Sequence, residues 1–120
     1  MADYAPLYMP GDLVTGVTSA AVVGGRQLMV SGNGTVAHAT ADSNAVVGTA
    51  AFDQPATGKE VTFHGRGQVH VSTAAGAITA AARLNAAANG TVASATAGVG
   101  NIGIALTTAA DGALVTWMEC

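Results

Sequence analysis

Charged side chains are scarce: four Lys or Arg and seven Asp or Glu make up 9% of the 120 residues and leave a net charge of -3 with histidine neutral. No cluster of basic residues occurs anywhere, so the phosphate neutralisation that drives nucleic-acid binding is not expected. Aromatic residues are equally thin at 4%. That leaves few large side chains to line a small-molecule pocket, which disfavours a sugar- or ligand-binding module. One cysteine, Cys120, excludes an internal disulfide and a cysteine-based metal set, and it fits synthesis in a reducing cytoplasm. Uninterrupted apolar runs such as Ala20–Val23 fall far short of the ~20 residues of a membrane-spanning helix, and no membrane association is expected. The N-terminus lacks the basic and apolar blocks of a signal peptide.

Half of the residues are apolar, chiefly Ala and Val, and 16 are Gly. Low charge with that much apolar content argues for a folded chain, and the length suits one domain. Self-comparison is informative. Asn33-Gly34-Thr35-Val36-Ala37-His38-Ala39-Thr40-Ala41 returns as Asn89-Gly90-Thr91-Val92-Ala93-Ser94-Ala95-Thr96-Ala97, with only His38 exchanged for Ser94. The correspondence extends to Leu28 with Leu84, Gly48-Thr49-Ala50 with Gly103-Ile104-Ala105, and Val61-Thr62-Phe63 with Val115-Thr116-Trp117. Residues 24–64 and 80–120 therefore read as two internal repeats, joined by residues 65–79.

Asn33-Gly34, Asn89-Gly90 and Asp111-Gly112 are hairpin-turn signals, because both central positions of the favoured turn need positive φ. Strict alternation over residues 60–72 predicts one long half-buried strand. Val61, Phe63, Gly65, Gly67, Val69 and Val71 would face inward, and Glu60, Thr62, His64, Arg66, Gln68 and His70 outward. The two inward glycines suggest a bend midway. Val14–Thr18 and Gln27–Ser31 are further strands. Ala74–Ala88 has the composition of a helix, but the repeat sets Leu84 opposite Leu28 in a strand, and Gly76 and Gly90 limit any helix there. The expected fold is all-β: a small β-barrel or β-sandwich over residues 13–120.

Residues 1–12 stand apart, with two of three prolines and both tyrosines. Pro6 and Pro10 bias their neighbours toward extended backbone. A frayed end is usually polar, so an extended arm that docks on a partner is expected, carried by Tyr4, Pro6, Leu7, Tyr8 and Met9.

Catalytic and cofactor signals are weak. Gly98-Val99-Gly100-Asn101-Ile102-Gly103 has the spacing of a dinucleotide fingerprint, but Ile104-Ala105-Leu106 after it reads as strand where the fingerprint needs a helix. No cofactor is expected. His64 and His70 lie six residues apart, roughly 20 Å along an extended strand, too far to share a metal ion unless the strand bends sharply. Asp42-Ser43-Asn44 is an incomplete calcium loop. No catalytic set is assigned; the enzymatic alternative is a hydrolase site built only at an oligomer interface, with His70 as base. His64, Arg66 and His70 instead form a candidate interface face, positive on an otherwise acidic chain.

Val46-Val47-Gly48-Thr49-Ala50, Thr57-Gly58-Lys59-Glu60-Val61-Thr62-Phe63, Gly65-Arg66-Gly67, Ala77-Ile78-Thr79-Ala80, Asn101-Ile102-Gly103-Ile104-Ala105-Leu106 and Gly112-Ala113-Leu114-Val115-Thr116, in that order, resemble the capsid decoration (head-stabilising, cement) proteins of tailed bacteriophages. Ala81-Ala82 departs from that pattern, which often has Gly-Asp before the next strand. The resemblance implies a β-tulip-like barrel with an N-terminal arm. It also implies a non-enzymatic role on the outer surface of a virion head, after synthesis in the bacterial host cytoplasm. The partners it implies are the major capsid protein and sister copies, often as a trimer.

Overall fold

A computed structural model describes residues 5, 7, 8, 11–95 and 101–120. It is 51% strand and 3% helical, which establishes the all-β class. Among the described residues ten strands follow in order: β1 Leu13–Thr18, β2 Gln27–Gly32, β3 Thr35–His38, β4 Val46–Ala50, β5 Glu60–Gly65, β6 Val69–Thr73, β7 Arg83–Ala86, β8 Val92–Ser94, β9 Asn101–Ala105 and β10 Leu114–Glu119. A 3-10 turn, Ala88–Gly90, lies between β7 and β8. The Ala-rich stretch before it is not a helix, and Leu84 sits in a strand. Among the described residues no helix is long and apolar enough to cross a membrane.

β1 to β5 form a closed barrel, in the order β3-β2-β4-β5-β1, with β1 returning to β3 in parallel through Val17 against Thr35 and Thr18 against Val36. β6 to β10 form a second sheet in the order β8-β7-β9-β10-β6. Adding five to each strand number of the barrel gives the order of the sheet. The closing contact is reduced there to one parallel bridge between Ala74 and Val92. Loop hydrogen bonds correspond as well. Gly25 N–H donates to the Ala50 carbonyl at 2.8 Å and Ala81 N–H to the Ala105 carbonyl at 2.8 Å. Gly58 N–H reaches the Thr18 carbonyl at 2.8 Å, and Gly112 N–H the Ala74 carbonyl at 2.9 Å.

The turn chemistry is local. Asn89 and Gly90 both take positive φ, at 57° and 72°, as the tightest hairpin turn requires. At the Asn33-Gly34 and Asp111-Gly112 turns only the glycine does, at 72° and 78°.

Val22, Leu28, Val36, Ala50, Val61 and Phe63 fill the barrel. The second core, built on Ile78, Leu84, Val92, Ile102, Val115 and Trp117, also takes in Ala39 and Val46 from the barrel. The sheet therefore closes its open side on the barrel wall. Each fully buried Leu, Ile or Val contributes about 1.5–3 kcal/mol by leaving water.

Two expectations are corrected. Residues 60–72 are not one strand: β5 ends at Gly65, the chain bends over residues 66–68 with Gly67 at φ 102°, and β6 joins the other sheet. The bend shifts the alternation by one. Val61 and Phe63 are buried as expected, but in β6 the inward residue is Ser72, while Val69 and Val71 are each 52% exposed. Nor is the segment 65–79 a mere link, because it supplies β6, which pairs along β10.

Candidate functional site

The bend at residues 66–68 brings His64 and His70 together, with ring centroids 5.8 Å apart. This overturns the ~20 Å separation expected for an extended strand. His70 also lies 5.9 Å from the Trp117 ring, and its Nε2 stands 3.3 Å from Glu119 Oε1. Its side chain is nearly buried, and that of Glu119 wholly so. His64, Arg66 and His70 thus do not share one open face: Arg66 is exposed, His64 is half-buried, and His70 points into the junction between barrel and sheet.

Polar groups line that junction. Gln27 Nε2 donates to Thr49 Oγ1 at 2.8 Å, and the Thr49 hydroxyl donates to Glu119 Oε1 at 3.3 Å. Gln27, Thr49 and Glu119 are all buried. Trp117 Nε1 donates to Ser72 Oγ at 3.0 Å, and the Ser72 hydroxyl crosses to the Gly25 carbonyl at 3.2 Å. Arg26 Nη1 reaches the Asn89 carbonyl at 3.0 Å. Asn85 Nδ2 donates to Asp42 Oδ1, and Asp42 N–H to the Ala86 carbonyl at 2.9 Å. Asp42, first residue of the calcium-loop fragment, is thus engaged in tying barrel to sheet. Hydrogen bonds in so dry a setting fix one mutual orientation of the two halves.

Among the described residues no three His, Cys, Asp or Glu side chains converge as a metal site. The strand Asn101–Ala105 occupies the end of the dinucleotide-like sequence, where a helix would be required; residues 98–100 lie outside the described residues. His38 is separate from the junction. Its Nε2 accepts a hydrogen bond from Val23 N–H at 2.8 Å, which the neutral ring provides. Burial, and then the nearby Arg26 charge, hold its pKa below the usual 6.5.

Of the arm residues, Leu7 is 95% exposed and Tyr8 44% exposed. Tyr4, Pro6 and Met9 lie outside the described residues. Sequence reasoning missed Glu119, Thr49 and Gln27. Glu119 carried a readable signal, since it continues the buried positions Val115 and Trp117 at every second residue.

No protein-family model matches this chain, and no curated protein does. The fold is similar to that of the head fiber gp8.5 N base in bacteriophage phi29. The TM-score is 0.72 at 20% sequence identity, covering 91% of this chain and 93% of that one.

Proposed function

We propose that this chain is a structural protein of a bacteriophage head: a decoration or cement protein, not an enzyme, that sits on the outer capsid surface and strengthens contacts between capsomers. The observation that carries this reading is the likeness to a phage head fiber base over nearly the whole length of both chains. The ordered series of motifs from Val46 to Thr116 supports it from the sequence side.

In this reading the chain is made in the bacterial host cytoplasm and self-associates, as a trimer, on the head. The arm of residues 1–12 grips the major capsid protein through Tyr4, Pro6, Leu7, Tyr8 and Met9. The exposure of Leu7 and Tyr8 supports that role, since apolar side chains left in water are anchors awaiting a pocket. Arg66, with His64 beside it, is the remaining part of the interface face available to an acidic partner. The common strand order of barrel and sheet supports a tandem of two related units.

The test is to mix purified protein with undecorated heads, recover the heads and count the bound copies. Saturable binding at a stoichiometry set by the capsid symmetry is expected. Folded protein that leaves the heads bare would overturn the reading and favour a small β-barrel ligand-binding module.

A further inference from the structure

The outer face of the second sheet carries an apolar field. Val69 and Val71 on β6 lie beside Met118 and Thr116 on β10, and Leu114 and Leu106 extend the field at either side. Leu114 is 66% exposed, and Leu106 and Met118 are each close to half exposed. No charged side chain interrupts these positions. Contiguous apolar surface of this kind marks an interaction site.

The barrel shows that the fold does not demand it. β1 pairs with β5 as β6 pairs with β10, so Thr15, Glu60 and His64 hold the positions that Val71, Leu114 and Met118 hold in the sheet. One exchange runs the other way, from Val17 to Thr73. Along β6 and β10 an ionisable wall has thus become an uncharged one, while on β7 the exposed Arg83 stands where the barrel has Gln27.

The barrel also shows what covers such a wall. Its outward residues Thr49 and His64 are met by the end of the second sheet, through Glu119 and His70, and the Asn89-Gly90 turn packs on Gln27. Among the described residues nothing covers the corresponding positions in the sheet in this way: Ile104, Met118 and, for Gln27, Arg83. The turn corresponding to Asn89-Gly90, at Asn33-Gly34, makes no such contact among the described residues: a Cβ on Gly34 would meet nothing within 4 Å, whereas one on Gly90 would lie 2.6 Å from the Gln27 carbonyl oxygen. Among the described residues there is therefore one uncovered wall and one unused end of the kinds that already meet inside the chain.

We infer that the outer face of β6 and β10, with Leu106 at its border, is the self-association surface, and that a second copy of this chain covers it with the barrel end bearing Asn33-Gly34. A contact between unlike surfaces closes into a ring or continues as a chain. This assignment rests on the self-association proposed above, and the test separates the two because it is made in solution without heads.

The experiment is sedimentation velocity with light scattering on the full chain over a wide dilution series. It is repeated on the triple variant Val71→Thr, Leu114→Glu, Met118→His, which carries the barrel's own residues at matching positions. Circular dichroism checks that the variant is folded. Should the triple variant unfold, Val71→Thr alone is read in its place. The wild type is expected to populate multiples of 11.6 kDa. The folded triple variant should dissociate with a constant raised by at least about tenfold. A wild type that stays monomeric throughout overturns self-association itself and leaves the face to the head or to another protein. An assembled wild type whose folded variant assembles equally well keeps self-association and overturns this surface.

Discussion

The indole of Trp117 lies directly on Gly103, across the β9–β10 pairing. A Cβ at residue 103 would stand 2.7 Å from Trp117 Cε3 and 2.2 Å from the Met118 carbonyl oxygen. In the barrel, Gly48 stands in the same relation to Phe63 and to the His64 carbonyl oxygen. Gly103 is therefore glycine because a ring occupies its side-chain space. Gly103→Ala should cost at least about 1–3 kcal/mol in urea-induced unfolding, the range expected of overpacking. An unchanged midpoint would show that both the ring and the Met118 carbonyl give way.

Ala81 sits at φ 74°, a left-handed conformation that its barrel counterpart Gly25 adopts at φ 81°. The penalty for an L-residue there is about 1–2 kcal/mol, partly offset by the greater chain entropy that glycine loses on folding. Ala81→Gly should accordingly raise stability by roughly 0.5–1 kcal/mol. Gly25→Ala should lower it, and thermal melts of the two single variants would show opposite displacements.

The junction should behave as a coupled unit. Glu119→Leu alone removes the buried partner of His70 and of the Thr49 hydroxyl, and His70→Leu alone leaves the Glu119 carboxylate buried beside an apolar group. In a double-mutant cycle the two losses should fall short of additivity by about 0.5–3 kcal/mol, as for residues in contact. Strict additivity would mean that the pair contributes no mutual interaction.

His38 predicts a pH dependence whose sign is fixed. Its folded pKa lies below the unfolded 6.5, so the unfolded chain binds the proton more readily. The stabilising contribution is present above pH 6.5 and is lost as the pH falls from there through the folded value. The informative quantity is the difference between wild type and His38→Gln. The variant should show a shallower loss of stability below pH 6.5, and parallel curves would discount His38.

Removal of residues 2–10 should leave the all-β circular dichroism spectrum and the melting temperature nearly unchanged, since β1 begins only at Leu13. Binding to undecorated heads should be abolished. A truncated chain that still saturates heads would assign capture to another surface.

Much of the fold was legible because it rests on local signals. Alternation marked β5, weaker strand signals marked β1 and β2, Asn-Gly marked the turns, and the match of Leu84 to Leu28 outweighed the helix propensity around Ala80–Ala88. What the sequence did not reveal is long-range. Three residues at 66–68 re-aim the chain, reverse the parity of β6 and carry His70 from an outer face into the junction. No local pattern distinguishes a strand that bends from one that changes sheets. Gln27, Thr49 and Glu119 were missed for the same reason: their hydrogen bonds join residues 22 and 70 positions apart. Ala81 was the converse case, where a departure from the expected Gly-Asp pattern marked a conformation that alanine adopts at a cost.

The pairing registers also imply an order of events during synthesis. Every strand pair that closes the barrel lies within residues 13–65, from Leu13 against His64 to Thr18 against Val36. The barrel can therefore close while the rest of the chain is still being made, presenting Ala39, Val46, Thr49 and His64 as a finished wall. Glu119 follows every other junction residue in chain order, so its contacts with Thr49 and His70 are the last of the junction to be supplied.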